Sequence, residues 1–310
     1  MKGRCPVTHL RSLSLETPVF DDCVAFYGRF LDRPAQPLQD GGSGVRFGNP
    51  ADDVPMLELH RGAVPGIRSL TFGAASPAAV EQTAGHLRTR GVPVLSGPAA
   101  AAGPAGGTVE MAFEAPEGLR IILRADGSAP PALDERTGRT AERPGFLSHA
   151  VLNAADPGRL RDFFVDALGF TVTDWYEGGH LTFLQSDQPQ HHCIGVTPGD
   201  RPGLHHVAFE CGSIDGLMRS VGRMRQAGEE PIWGPGRHGP GGNVFCYYAD
   251  PSGLVAEFTC ELIQIADPGA WTAREWERMP DNANLWRTGG PSPEAIALFQ
   301  GRGINRSPLP

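Results

Sequence analysis

Short apolar runs alternate along this chain with stretches of helical period, and their order repeats. Residues 8–14 read as a strand. Residues 20–30 read as a helix, with Val24, Phe26, Tyr27 and Phe30 on its apolar face. Strand patterns follow at 45–47 and 56–59. A second unit has a strand at 67–72, a helix over 76–90, and strands at 92–95, 109–113 and 120–123. Residues 126–143, rich in Pro, Gly and Ala, read as a linker. The order then returns, with a strand at 146–152 and a helix at 157–168 that has Asp156 as its N-cap and Pro157 at its first position. Strands follow at 171–175, 181–184 and 193–196. A fourth unit has a strand at 204–209, a helix over 213–227, and strands at 231–233, 244–248 and 255–260. Residues 261–310 are broken repeatedly by Pro and Gly and read as short helices and coil over the surface.

The repeat can be aligned residue by residue. An offset of 137, Gly66 to Gly203, sets Gly66-Ile67-Arg68-Ser69-Leu70-Thr71-Phe72 over Gly203-Leu204-His205-His206-Val207-Ala208-Phe209. It also sets Phe26-Tyr27 over Phe163-Phe164, and Ser12 over His149. An offset of 135, Ala115 to Asp250, sets Ala115-Pro116-Glu117-Gly118-Leu119 over Asp250-Pro251-Ser252-Gly253-Leu254 and Ile122 over Glu257. The second copy therefore carries His149, His206 and Glu257 where the first carries Ser12, Ser69 and Ile122. A purely structural demand would have kept similar residues in both copies.

Those three residues interrupt apolar, strand-like runs. A lone His in a strand is more often a hydrogen-bonded core residue than a ligand, but burying a carboxylate or an imidazole is costly unless something pairs with it. A divalent metal would pair with all three. Two His and one carboxylate, with no Cys, fit the facial arrangement that leaves open positions on a non-haem Fe(II), and Mn(II) accepts the same ligands. Strand alternation sends His205 and His206 to opposite faces, so either can be the ligand; the repeat selects His206.

Composition narrows the partners. At 310 residues, 20% charged and 40% hydrophobic, the chain is globular and long enough for two ordinary cores. A net charge of −8 without a basic run argues against a nucleic-acid surface. No apolar run reaches membrane-spanning length, and the N-terminus lacks a signal core. The six cysteines form no C-x-x-C pair and are sparse for a secreted disulfide scaffold, so a cytoplasmic, reduced protein is expected.

From residue 192 to 258 the chain runs His192, then His205-His206-Val207-Ala208-Phe209, Arg237-His238-Gly239, Tyr247, Asp250-Pro251-Ser252-Gly253 and Glu257. In this it resembles the type I extradiol ring-cleaving dioxygenases of the vicinal oxygen chelate superfamily, such as catechol 2,3-dioxygenase and 2,3-dihydroxybiphenyl 1,2-dioxygenase. The resemblance covers roughly 8–260. It implies an α+β fold of four βαβββ-type modules paired into two incomplete barrels. The corresponding domains are a metal-free barrel at 1–125, a linker at 126–143, a metal-binding catalytic barrel at 144–262, and a tail at 263–310.

It further implies His149, His206 and Glu257 as ligands to Fe(II), or Mn(II), with no other cofactor. His192 (or the adjoining His191) would stabilise the activated oxygen and act later as general acid. His238 would be the base or hydrogen-bonding partner of the diol, and Tyr247 (or Tyr248) a donor to the deprotonated oxygen. Some members have Asp after the first of these His, where this chain has Cys193. The implied reaction is ring cleavage of a catechol-type substrate by O2 beside the diol, in a homo-oligomer of aromatic catabolism. Two alternatives are other metal-dependent enzymes of the scaffold. One is 4-hydroxyphenylpyruvate dioxygenase-like, disfavoured by the Arg-His-Gly and Tyr placement. The other is glyoxalase-like, disfavoured because glyoxalase members split their ligands between the halves. A ligand-sequestering resistance protein needs no such trio. Lining residues of the substrate pocket are expected near Trp175, Tyr176, Leu184 and Phe245, with a contribution from the tail. His60, His86 and His180 carry no signal of function.

Overall fold

Strand β1 (Val7–Thr17) is buried on both faces along most of its length. It heads a module with α1 (Phe20–Leu31), β2 (Gln36–Pro37), β3 (Val45–Phe47) and β4 (Leu57–Arg61). The second module has β5 (Gly66–Ala74), α2 (Pro77–Thr89), β6 (Val94–Ala100), β7 (Val109–Glu114) and β8 (Arg120–Ala125). This computed structural model describes residues 5–38, 42–48, 55–101, 107–127 and 143–302. Most of the expected linker, 128–142, lies outside the described residues. The third module has β9 (Phe146–Ala154), α3 (Pro157–Leu168), β10 (Thr171–Tyr176), β11 (Thr182–Gln185) and β12 (Ile194–Pro198). The fourth has β13 (Gly203–Glu210), α4 (Ile214–Gln226), β14 (Trp233–Arg237), β15 (Val244–Ala249) and β16 (Val255–Cys260).

The modules form two sheets of matching order, β2-β3-β4-β1-β5-β8-β7-β6 and β14-β15-β16-β13-β9-β12-β11-β10, the second extended beside β10 by a strand of the tail, β17 (Arg274–Trp276). In each, the first strands of two modules pair antiparallel at the centre, and each also pairs parallel with the last strand of its own module. This is the mixed α+β architecture that the resemblance implied. Register repeats too. Ala208 is level with His149 on one side and Glu257 on the other; in the first sheet Thr71 is level with Ser12 and Ile122.

The helices link the halves through their aromatic faces. Phe30 of α1 stacks on Phe258, beside Glu257, with ring centroids 3.9 Å apart. Tyr27 donates to buried Asp250 at 3.2 Å. Reciprocally, Phe164 of α3 packs on Phe72 and Phe163 on Phe113. Each such pair adds about 0.5–1.5 kcal/mol beyond area burial. The first half therefore supports the back of strand β16.

Several elements depart from the expected ones: β2 was not anticipated, and β6 runs over Val94–Ala100 rather than 92–95. β14 runs from Trp233 to Arg237 rather than over 231–233, because a register shift between Trp233 and Gly236 absorbs the Gly-Pro pair and pairing with β15 resumes at Gly236 and Arg237. The tail supplies a strand, β17 (Arg274–Trp276), paired parallel with β10, and two short helices, α5 (Pro280–Ala283) and α6 (Pro293–Phe299). Among the described residues no helix is long and apolar enough to cross a membrane.

Candidate metal centre and its pocket

Three adjacent strands of the second sheet converge on one point. His149 and Glu257 flank Ala208 in one row, and His206 lies two residues before Ala208 on the same face. Glu257 Oε2 is 3.2 Å from Nε2 of both His149 and His206, and the two Nε2 atoms are 3.4 Å apart. All three residues are buried. Ligands held at about 2.1 Å from one cation stand about 3.0 Å apart at right angles and about 3.4 Å apart at tetrahedral angles. The donor set therefore fits a divalent metal in both chemistry and spacing. Three facing acceptor-capable atoms would satisfy one another poorly through shared protons alone. Burial pushes the Glu257 carboxyl up, but the two imidazoles outweigh it and hold the group well below the usual carboxylate range. Burial lowers His206, and Glu257 only partly restores it.

The neighbouring groups are pinned as closely. Asn243 Nδ2 donates to Glu257 Oε1 at 3.1 Å and to Thr259 Oγ1 at 2.9 Å. Ser148 Oγ lies 3.2 Å from His149 Nδ1. A register shift of β13 between Leu204 and His206 upsets the alternation expected of the His pair, so His205 turns toward the cavity as well, with its Nδ1 2.7 Å from His206 Nδ1. His205 also stacks on Phe299 at 4.7 Å.

His192 lies against His149, ring centroids 4.6 Å apart, and faces the cavity. Burial and then the charges of His149 and its other imidazole neighbours push it well below its ordinary value. The adjoining His191 turns away and meets Asp174 at 3.3 Å. Asp174 in turn accepts from the Arg274 backbone N–H and the Trp276 indole, which fastens the tail strand. His238 is fixed at both nitrogens. A carbonyl can only accept, so Nδ1 carries the proton and donates to Ala283 of α5 at 2.7 Å. Nε2 then accepts from the Tyr247 hydroxyl at 2.9 Å. Burial lowers His238 to about 4, so it is neutral near neutral pH. Burial and Glu257 raise Tyr247 well above its ordinary value. Tyr248 points the other way and packs on Phe30 and Phe258.

His149, His192, His205, His206, His238 and Tyr247 share one cavity of about 510 Å³. Its walls are otherwise mainly apolar, including Val151, Phe183 and Trp233, and the tail closes one side with Met279, Ile296 and Phe299. The strands expected to line the pocket do so, through Tyr176 of β10, Phe183 of β11 and Tyr247 of β15, while Trp175, Leu184 and Phe245 themselves do not; Phe245 lies behind His238, stacked at 3.9 Å. His180, read as without function, lines the cavity beside Arg278, 3.4 Å away. Asn243 and Ala283 were missed, and His205 was weighed only as the alternative ligand to His206. Asn243 alone left a trace, as a polar residue entering an apolar run just after a glycine pair. A second cavity of about 480 Å³ lies around Leu119, Asn153 and Leu204, but its Asp200 and Arg302 pair with each other and its Glu117 is taken up by the Ala155 and Asp156 backbone N–H groups.

A sequence profile of the Glyoxalase/Bleomycin resistance protein/Dioxygenase superfamily matches residues 146–258, the part of the chain that holds the trio. Metapyrocatechase 2 of Cupriavidus necator is 30% identical over 134 residues, which span 43% of this chain and 42% of that protein. Biphenyl-2,3-diol 1,2-dioxygenase of Paraburkholderia xenovorans (strain LB400) is 24% identical over 74% of this chain and 78% of its own length. Among solved structures, a Mn(II)-bound glyoxalase from Novosphingobium aromaticivorans superposes with a TM-score of 0.81 at 30% identity, covering 94% of each chain.

Proposed function

Because this chain belongs to the Glyoxalase/Bleomycin resistance protein/Dioxygenase superfamily, we propose that it is a non-haem extradiol dioxygenase. It would cleave the ring of a catechol-type substrate with O2 at the carbon–carbon bond beside the diol. The observation that carries this reading is the trio His149, His206 and Glu257 gathered at a cavity that His192, His238 and Tyr247 also enter. These three would hold Fe(II) or Mn(II), which lowers the pKa of a coordinated diol hydroxyl and supplies the redox chemistry that O2 requires. His238 Nε2, whose proton-free state is fixed by the Ala283 carbonyl at Nδ1, takes the proton from the diol. The Tyr247 hydroxyl, now on that nitrogen, turns to donate to the deprotonated diol oxygen. His192, buried and neutral against His149, takes up the second diol proton and returns it to the reacting oxygen as the ring opens. The apolar walls and the tail exclude water and seat the ring.

The test is oxygen uptake by anaerobically metal-loaded protein across a panel of catechols, with the expected result a yellow ring-opened product formed as O2 is consumed. A panel with no uptake would overturn the reading. Turnover without oxygen consumption would favour a second one, a Mn(II) enzyme of the glyoxalase type, to which the full-length similarity at 30% identity points.

A further inference from the structure

Glu257 uses its two oxygens differently. Oε2 faces both imidazoles, whereas Oε1 accepts from Asn243 Nδ2 at 3.1 Å. The same Nδ2 reaches Thr259 Oγ1 at 2.9 Å, and the Thr259 hydroxyl donates to the Val244 carbonyl at 3.2 Å. Both neighbours of the amide are acceptors, so the NH2 must face them and Oδ1 must turn away. There Oδ1 is buried without a hydrogen-bond partner. An unpartnered buried acceptor is unfavourable, so the side chain is held in this orientation at the expense of one of its own groups. The loop before it serves the same placement. Gly241 and Gly242 adopt φ of +72° and +65°, which glycine alone tolerates readily. The Asn243 carbonyl accepts from the His238 backbone N–H at 2.9 Å, so one hairpin carries both residues.

We infer that Asn243 is a positioning residue for Glu257, a role that rests on reading the trio as metal ligands. By holding Oε1, it offers a single carboxylate oxygen between the imidazoles. A carboxylate free to rotate would present both oxygens and close a position that the substrates need. Asn243 therefore governs how tightly the cation is held and with what symmetry.

The test is an anaerobic Mn(II) titration of the intact chain, with the paramagnetic resonance spectrum of the bound ion recorded alongside. Asn243→Leu, which removes the donor at similar volume, is expected to weaken Mn(II) binding about 10–100-fold and to alter the spectrum. Thr259→Val, which leaves Asn243 with Glu257 as its sole anchor, should change the spectrum the same way with a smaller loss of affinity. Unchanged affinity and spectrum in folded Asn243→Leu, or in Thr259→Val if the first variant does not fold, would overturn the inference. Wild-type protein that binds no Mn(II) would overturn the ligand reading and this inference together. Wild-type protein that binds Mn(II) yet cleaves no diol would overturn the proposed activity alone, and the Mn(II) comparison would still decide the role of Asn243.

Discussion

Where β9, β13 and β16 place His149, Ala208 and Glu257 level with one another, β1, β5 and β8 place Ser12, Thr71 and Ile122. Apart from the added β17, backbone order and register are the same in the two sheets; the chemistry at the equivalent points is not. Small neutral residues suffice for the fold of the first sheet, with Ser12 and Ser69 buried. The second sheet carries a carboxylate with no exposure at the equivalent place. Removing such a charge from water is unfavourable without compensation, and the first sheet demonstrates that the architecture does not require it. The carboxylate and its two imidazoles therefore call for a partner, which the proposed cation would supply. The first half contributes support instead, through Phe30 stacked on Phe258 and Tyr27 bonded to Asp250.

The largest expected effect that sharpens this contrast is His206→Ala, which should reduce oxygen uptake to background while circular dichroism stays native. Next is His238→Ala, expected to lower kcat by about 10²–10⁴-fold with bound metal unchanged; a fall in metal content of the same size would mean that His238 belongs to the ligand set.

A smaller effect concerns pH. The unfolded chain protonates His238 near 6.5, but burial in the folded protein delays this to about 4. A depressed histidine contributes stability above the higher value that is lost as pH falls through the interval between the two. Glu210 acts oppositely, because burial pushes it up to about 8. The measurement is therefore a difference. The stability of the metal-free wild type relative to His238→Gln should decrease from pH 6.5 to pH 4, and a flat difference would contradict the assignment. The smallest effect is in the first sheet. Ser12→Ala and Ser69→Ala should change stability by about 1 kcal/mol or less in denaturant titrations and leave metal binding untouched.

Much of this was legible in the sequence where local chemistry decides the outcome. Helix α3 begins and ends as read because Asp156 caps the Arg159 N–H and Gly169 takes φ +80°. The trio was legible because charged or ionisable residues interrupt apolar runs in only one of two aligned copies. What was not legible depends on partners distant in the chain or on irregular strands. β17 exists because Asp174, a hundred residues earlier, binds its backbone and Trp276. His205 reaches the cavity because of a register shift that strict alternation cannot anticipate. The proton of His238 is set by a carbonyl of the tail, and nothing in the composition of residues 261–302 marks Ala283 for that task.

The asymmetry between the halves is tested most directly by counting cations. Metal-free protein titrated anaerobically with Fe(II) or Mn(II) should bind one equivalent per chain, and Glu257→Ala, still folded, should bind none. Two equivalents in the wild type, or an undiminished equivalent in Glu257→Ala, would contradict the account.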